Sequence, residues 1–264
     1  MLAPEVHDEL REIADRYPQA RSGLLPMLHL VQSVEGRITR EGIQACADVL
    51  GLSAAEVSGV ATFYTMYFKH PVGTHHVGVC TNTLCAVMGG DAIFARLREH
   101  LEVGNDETTE DGQITLEHVE CNAACDYAPV MMVNWEFFDN QTPESAVRLV
   151  DDLRAGREVR ASRGARITSW REAERVLAGF EDGLADEGPA AGAASLVGLE
   201  IARQHGWTAP PATAGGAVEG AVKGADSAEQ AVAEADTRRA ESETVADEAQ
   251  SDEVRADETR GDPA

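Results

Sequence analysis

Four of the five cysteines in this 264-residue chain fall into two tight pairs, and no other feature constrains the fold as much. Cys80 and Cys85 have four residues between them in HVGVCTNTLC, and Cys121 and Cys125 have three in VECNAACDYAPV. The first cysteine of each pair closes an apolar, strand-like run. A fold that uses these thiols together must therefore bring the ends of two strands to one place.

The setting in which those thiols work follows from composition. A formal charge of −24 makes a nucleic-acid backbone an unsuitable partner. No run of 18 apolar residues is present, so no membrane insertion is expected. The start, MLAPEVHDELREIADRYP, carries acids where a secretory signal needs a basic and then apolar stretch. The expected compartment is the cytoplasm, where disulfides are disfavoured and clustered cysteines point to metal or redox chemistry.

Four segments follow from the patterning. Residues 1–70 read as a helical layer. Met27, Leu30, Val31 and Val34 share one helical face, and Ile43, Cys46, Ala47 and Leu50 share another between Thr39 as cap and Gly51 as stop. A capping box at Ser53–Glu56 opens a stripe through Val57, Val60, Ala61 and Tyr64. Residues 71–158 alternate strands and helices. HHVGVC is a strand, Asp91 caps a helix through Phe94, Leu97 and Leu101, and ITLEHVEC is a second strand. PVMMVN and WEFFD form a hairpin, and Thr142-Pro143 opens a helix through Ala146, Val150 and Leu153. The order β-α-β-β-β-α predicts an α+β or α/β domain with a small open sheet of the thioredoxin-like kind. Residues 159–211 hold a helix with the box Ser169–Glu172 and a stripe of Ala173, Val176, Leu177 and Phe180, then a second helix ending at Gly206. From 212 to 264 fourteen acids face five bases with almost no large apolar residue, which predicts a disordered acidic tail.

Spacing narrows the chemistry of the pairs without closing it. Dithiol exchange wants C-x-x-C, which neither pair supplies. Structural zinc tolerates two to four intervening residues. A two-iron cluster takes four thiolates, two per iron, and accepts wider spacing. Unliganded core thiols are the third reading. Cys46 stands apart, on the apolar stripe of a helix, and reads as a buried structural thiol. His75 and His76 read as turn and strand residues, and Met131-Met132 as core.

From about Arg21 to Leu153 the chain resembles the thioredoxin-like 2Fe–2S ferredoxin family that supplies the E subunit of NADH–quinone oxidoreductase (complex I). The resemblance is carried, in order, by RSGLLPMLHLVQ, VATFYTMYF, PVGTHHVGVCTNTLC, ETTEDGQITLEHVECNAACDYAPVMMVN and TPE. It implies one 2Fe–2S cluster with Cys80, Cys85, Cys121 and Cys125 as ligands. Two positions depart from the usual pattern: Thr74 stands where a basic residue is common, and Asn-Ala-Ala separates Cys121 from Cys125 where a glycine is common.

No G-x-G-x-x-G follows a strand, and no P-loop or basic dinucleotide pocket is evident. The resemblance accordingly implies a partner flavoprotein that binds NADH and FMN and passes electrons singly to this subunit, which is catalytic only within the oxidoreductase complex. Other complex I subunits would be further partners, and the complex would hold the chain at the inner face of the cell membrane. The helices of residues 1–70 are the candidate partner surface. Between Cys80 and Cys125 nine acids outnumber two bases, Arg96 and Arg98, which predicts a low-potential centre. A soluble NAD-linked formate dehydrogenase or hydrogenase uses an equivalent subunit, and a zinc-stabilised interaction domain remains the reading from a different class.

Overall fold

Capping chemistry written into the sequence sets four of the helix starts. The computed structural model describes residues 2–189 and 191–208. Helix α1 spans Pro4–Asp15, with proline in its first turn, and α2 spans Leu24–Glu35. Helix α3, Arg40–Leu50, begins where the Thr39 side chain accepts from the Gly42 amide and ends at Gly51 with φ 64°. Helix α4, Ala54–Phe63, starts at the Ser53/Glu56 box. It stops one residue short of the expected stripe. Tyr64 turns to extended backbone, and its side chain is exposed rather than buried.

Strand β1, His75–Cys80, leads into the short helix α5, Thr83–Val87, and then α6, Gly90–Leu101. Neither α5 nor strand β2, Glu107–Thr108, follows from the residue patterning. Asp91 does not cap α6. The cap is Gly89, at φ 116°, a left-handed backbone that glycine adopts without steric cost, and Asp91 lies inside the first turn. Strand β3 is Ile114–Val119, followed by β4, Met131–Val133, and β5, Glu136–Phe138. The β4–β5 hairpin turns through Asn134 and Trp135, both at positive φ, the handedness a two-residue hairpin loop requires. Helix α7, Pro143–Arg154, carries a Thr142/Ser145 capping box, α8 is Trp170–Leu177 with the Ser169/Glu172 box, and α9 is Ala193–Gln204.

The sheet runs β2-β3-β1-β4-β5, with β1 and β3 parallel and the other pairs antiparallel. Two apolar cores result. One joins Val77, Val79, Ile114, Leu116 and Met131 of the sheet to Ile93 and Leu97 of α6 and Ala146 and Val150 of α7. The other gathers α1–α4 around Leu10, Ile13, Met27, Leu30, Val31 and Cys46, and takes in Ala178 just past α8.

Helix α8 presents a different face from the one its apolar spacing predicts. Val176 and Leu177 are exposed, whereas Trp170, Glu174 and Ala178 are buried. The reason is polar. Glu174 accepts from His29 Nδ1 at 2.6 Å, Gln32 Nε2 at 2.8 Å and Trp135 Nε1 at 2.9 Å. Those three bonds offset the desolvation of the carboxylate and rotate it inward.

Of the described residues, those up to Glu200 form one compact unit and those from Ile201 onward belong to a second. In the described part of the second, His205 stacks on Trp207 at 5.1 Å. The expected acidic tail, 212–264, lies outside the described residues, as do the last residues of the expected helical extension. Among the described residues no single helix is long and apolar enough to cross a membrane.

Candidate metal centre

The parallel pairing of β1 with β3 decides where the cysteines go. Cys80 pairs in register with Val119, so Cys121 emerges two residues later at the same end of the sheet. The register is continued past the strands by the Thr81 amide, which donates to the Val119 carbonyl at 3.1 Å. On the other side the Cys80 amide donates to the Val130 carbonyl at 3.1 Å. Cys85 returns on α5, and Cys125 opens a 3-10 turn over Cys125–Tyr127.

Cys80 and Cys85 are buried together with Ala128, against Val119. Burial pushes the Cys85 thiol up to about 11, and the neighbouring Cys80 and Cys125 sulfurs add to the rise. Cys85 thus has both the Cys80 and the Cys125 sulfur for neighbours. Cys121 and Cys125 are exposed, and the Ala123 amide donates to Cys121 Sγ at 3.3 Å. Among the described residues no three His, Cys, Asp or Glu side chains converge as ligands of a single ion. A bridged pair of irons asks for two thiolates at each iron instead. Four thiols delivered to one sheet end fit that requirement.

Backbone features supporting this end are only partly visible in the sequence. Gly90 begins α6 directly beneath the loop. A Cβ there would lie 2.5 Å from the Cys80 carbonyl oxygen and 2.9 Å from that of Cys85. The adjacent Gly89-Gly90 pair is the signal that could have disclosed this. Ala123, within the Asn-Ala-Ala spacer, sits at φ 51°, a conformation costing an L-residue about 1–2 kcal/mol. The glycine common in this spacer would adopt it freely.

Cys46 lies far from this chemistry, fully buried in the helical core, where burial pushes its thiol up to about 12. His76 is a buried strand residue whose Nε2 meets Glu117 at 2.8 Å, and Met131 is core.

The sequence profile of the thioredoxin-like 2Fe-2S ferredoxin family matches residues 10–154, more than half of the chain. The chain belongs to that family. Within it, the chain is 60% identical over 204 residues to the E subunit of the NADH-quinone oxidoreductase of Mycobacterium bovis, covering 77% of this chain and 81% of that one. It is 34% identical over 154 residues to the oxidoreductase E subunit numbered 2 in Rhizobium meliloti, covering 58% of this chain and 92% of the relative. An NAD+-reducing NiFe hydrogenase in its H2-reduced state overlaps with a TM-score of 0.46 and 19% identity, over 50% of this chain and 22% of that chain. The family's expected thioredoxin-like architecture is the one present, with the helical layer preceding the sheet.

Proposed function

We propose that this chain is the electron-transferring E subunit of an NADH-quinone oxidoreductase, holding one 2Fe-2S cluster on Cys80, Cys85, Cys121 and Cys125. One observation carries the reading: the parallel β1–β3 register delivers both cysteine motifs to one end of the sheet. When bound, such a cluster supplies one-electron transfer. The chain's own residues bury Cys80 and Cys85, leave Cys121 and Cys125 near solvent, and direct the Ala123 amide at a sulfur. An amide so directed stabilises negative charge on that sulfur. The acids between the motifs oppose added negative charge, although Glu117, Asp106 and Asp111 are paired with His76, His70 and Arg154. The net effect is a low-potential centre.

The electron donor is the FMN of a partner flavoprotein that binds NADH, and the other complex I subunits hold the assembly at the inner face of the cell membrane. The helices of residues 1–70 supply the clasp for the flavoprotein. Phe63, 78% exposed at the end of α4, is its most prominent apolar group. Phe63→Asp should cut co-purification of the flavoprotein without lowering iron content. Retained flavoprotein would remove the helical layer from the interface.

Anaerobic purification with iron and acid-labile sulfide analysis tests the cluster itself. The expected result is two irons and two sulfides per chain, with a rhombic spin-half signal after dithionite reduction. Colourless protein with stoichiometric zinc would support a structural scaffold instead. The chains that co-purify distinguish a respiratory complex from a soluble NAD-linked enzyme.

A further inference from the structure

Past residue 154, where the family match ends, the chain comes back to the loop that carries Cys125. Arg163 is the point of return. Its guanidinium carbon lies 4.6 Å from the centre of the Phe137 ring and 5.3 Å from that of Tyr127. Its Nη2 is 3.0 Å from Asp139 Oδ1, its Nη1 is 3.6 Å from Asp126 Oδ2, and the side chain is only 12% exposed. Behind it, the Ser195 hydroxyl donates to Asp126, and the Ala194 amide donates to the Tyr127 hydroxyl at 3.1 Å. Asp126 and Tyr127 directly follow Cys125 in its 3-10 turn, whereas Phe137 and Asp139 belong to β5 and its exit.

We propose that Arg163 is a positioning residue for the second cysteine motif, pinning the Cys125 turn to the edge strand and setting a largely buried cation beside it. A guanidinium stacked on two rings while paired with two carboxylates has its plane and position fixed, which a lysine cannot reproduce. Its removal leaves Asp126 and Asp139 without their shared counter-charge, close to a centre that gains negative charge on reduction. The redox consequence rests on the cluster reading above, whereas the clamp is a property of the chain alone.

Arg163→Gln and Arg163→Lys in the full chain separate the two. In iron-free protein, amides of residues 125–128 should exchange hydrogen at least tenfold faster in Arg163→Gln, with β1 amides unchanged. If β1 also loosens, Tyr127→Phe, which removes only the acceptor for Ala194, decides the matter by a smaller acceleration confined to the turn. In iron-loaded protein, Arg163→Gln should lose iron to a chelator about tenfold faster. Its reduced-to-oxidised ratio at a fixed potential should fall tenfold, a shift of about 59 mV for one electron. Arg163→Lys should restore the potential but not the iron retention. Unchanged exchange in both Arg163→Gln and Tyr127→Phe overturns the clamp whatever metal the protein holds, and faster exchange with an unmoved potential overturns the charge role. Parent protein lacking iron and sulfide sinks the cluster reading instead, while the exchange data still judge the clamp.

Discussion

The seam between α2 and α8 and the cysteine end of the sheet both bury groups that prefer water, yet they resolve that conflict in opposite ways. At the seam every strong group of Glu174 finds a partner inside the chain: His29, Gln32 and Trp135 donate to its two oxygens. Gln32 is used on both sides, donating also to the Met66 carbonyl and accepting from the Phe68 amide at 2.7 Å. At the cysteine end the buried thiols mainly face one another, and burial raises Cys85 instead of relieving it. A self-satisfied buried network holds the fold, whereas neighbouring thiols, Cys85 raised by burial among them, make a receptor for something that binds thiolate.

The largest effect that would separate the two regions is on metal content. Cys125→Ser should reduce iron per chain severalfold and abolish the spin-half signal, while the melting temperature of the iron-free chain stays within a few degrees of the parent. Parent-like iron in that variant would remove Cys125 from the ligand set. The converse holds at the seam. Glu174→Ala takes the acceptor from His29 and Trp135, leaves Gln32 Nε2 with only the Met66 carbonyl, and should cost about 3–5 kcal/mol in denaturant unfolding of the iron-free chain. A loss under about 1 kcal/mol would show that water repairs the seam.

Two glycines sharpen the comparison further. Gly90→Ala forces a methyl group against the Cys80 and Cys85 carbonyls and should cost about 1–3 kcal/mol, with faster iron loss. Gly59 lies in α4 with nothing within 4 Å of an added Cβ, so Gly59→Ala should stabilise by about 0.5–1 kcal/mol. Equal effects at both positions would contradict the close approach beneath the cysteine loop.

The smallest effect is electrostatic. Hydrogen bonding from Thr109, then pairing with Arg154, holds the Asp111 carboxyl down to about 2. An unfolded aspartate titrates near about 3.9, so the unfolded chain binds this proton first. Its stabilisation is complete above about pH 4 and is lost as pH falls through about 2. Because the side chain is 38% exposed, solvent screening limits the contribution to less than about 1 kcal/mol. Asp111→Asn should flatten the stability curve between about pH 2 and 4 and lower stability at neutral pH by less than about 1 kcal/mol, with little change near pH 2, checked by denaturant midpoints across that range.

What could be read in the sequence was whatever depends on local chemistry. Thr39, Ser53, Thr142 and Ser169 cap the helices they announce, because a cap and its third residue are neighbours in the chain. The two long strands and the hairpin followed from alternation and turn residues. Long-range pairing hid the rest. The inward face of α8 depends on His29, Gln32 and Trp135, each far away in sequence, so nothing in the helix's own spacing marks Glu174 as buried. Likewise the part played by Gly90 appears only once α6 lies under the Cys80 carbonyl, and Arg163 declares itself only when Tyr127 and Phe137 stand beside it. For the cysteines themselves, spacing left three chemistries open. The β1–β3 register then brought both motifs to the same end of the sheet.

X-ray absorption at the iron edge of the anaerobically purified protein tests the central claim most directly. The account predicts that each iron has four sulfur neighbours and a single iron neighbour. Contradiction would be a lone metal ion ringed by sulfur with no metal neighbour, or protein without iron.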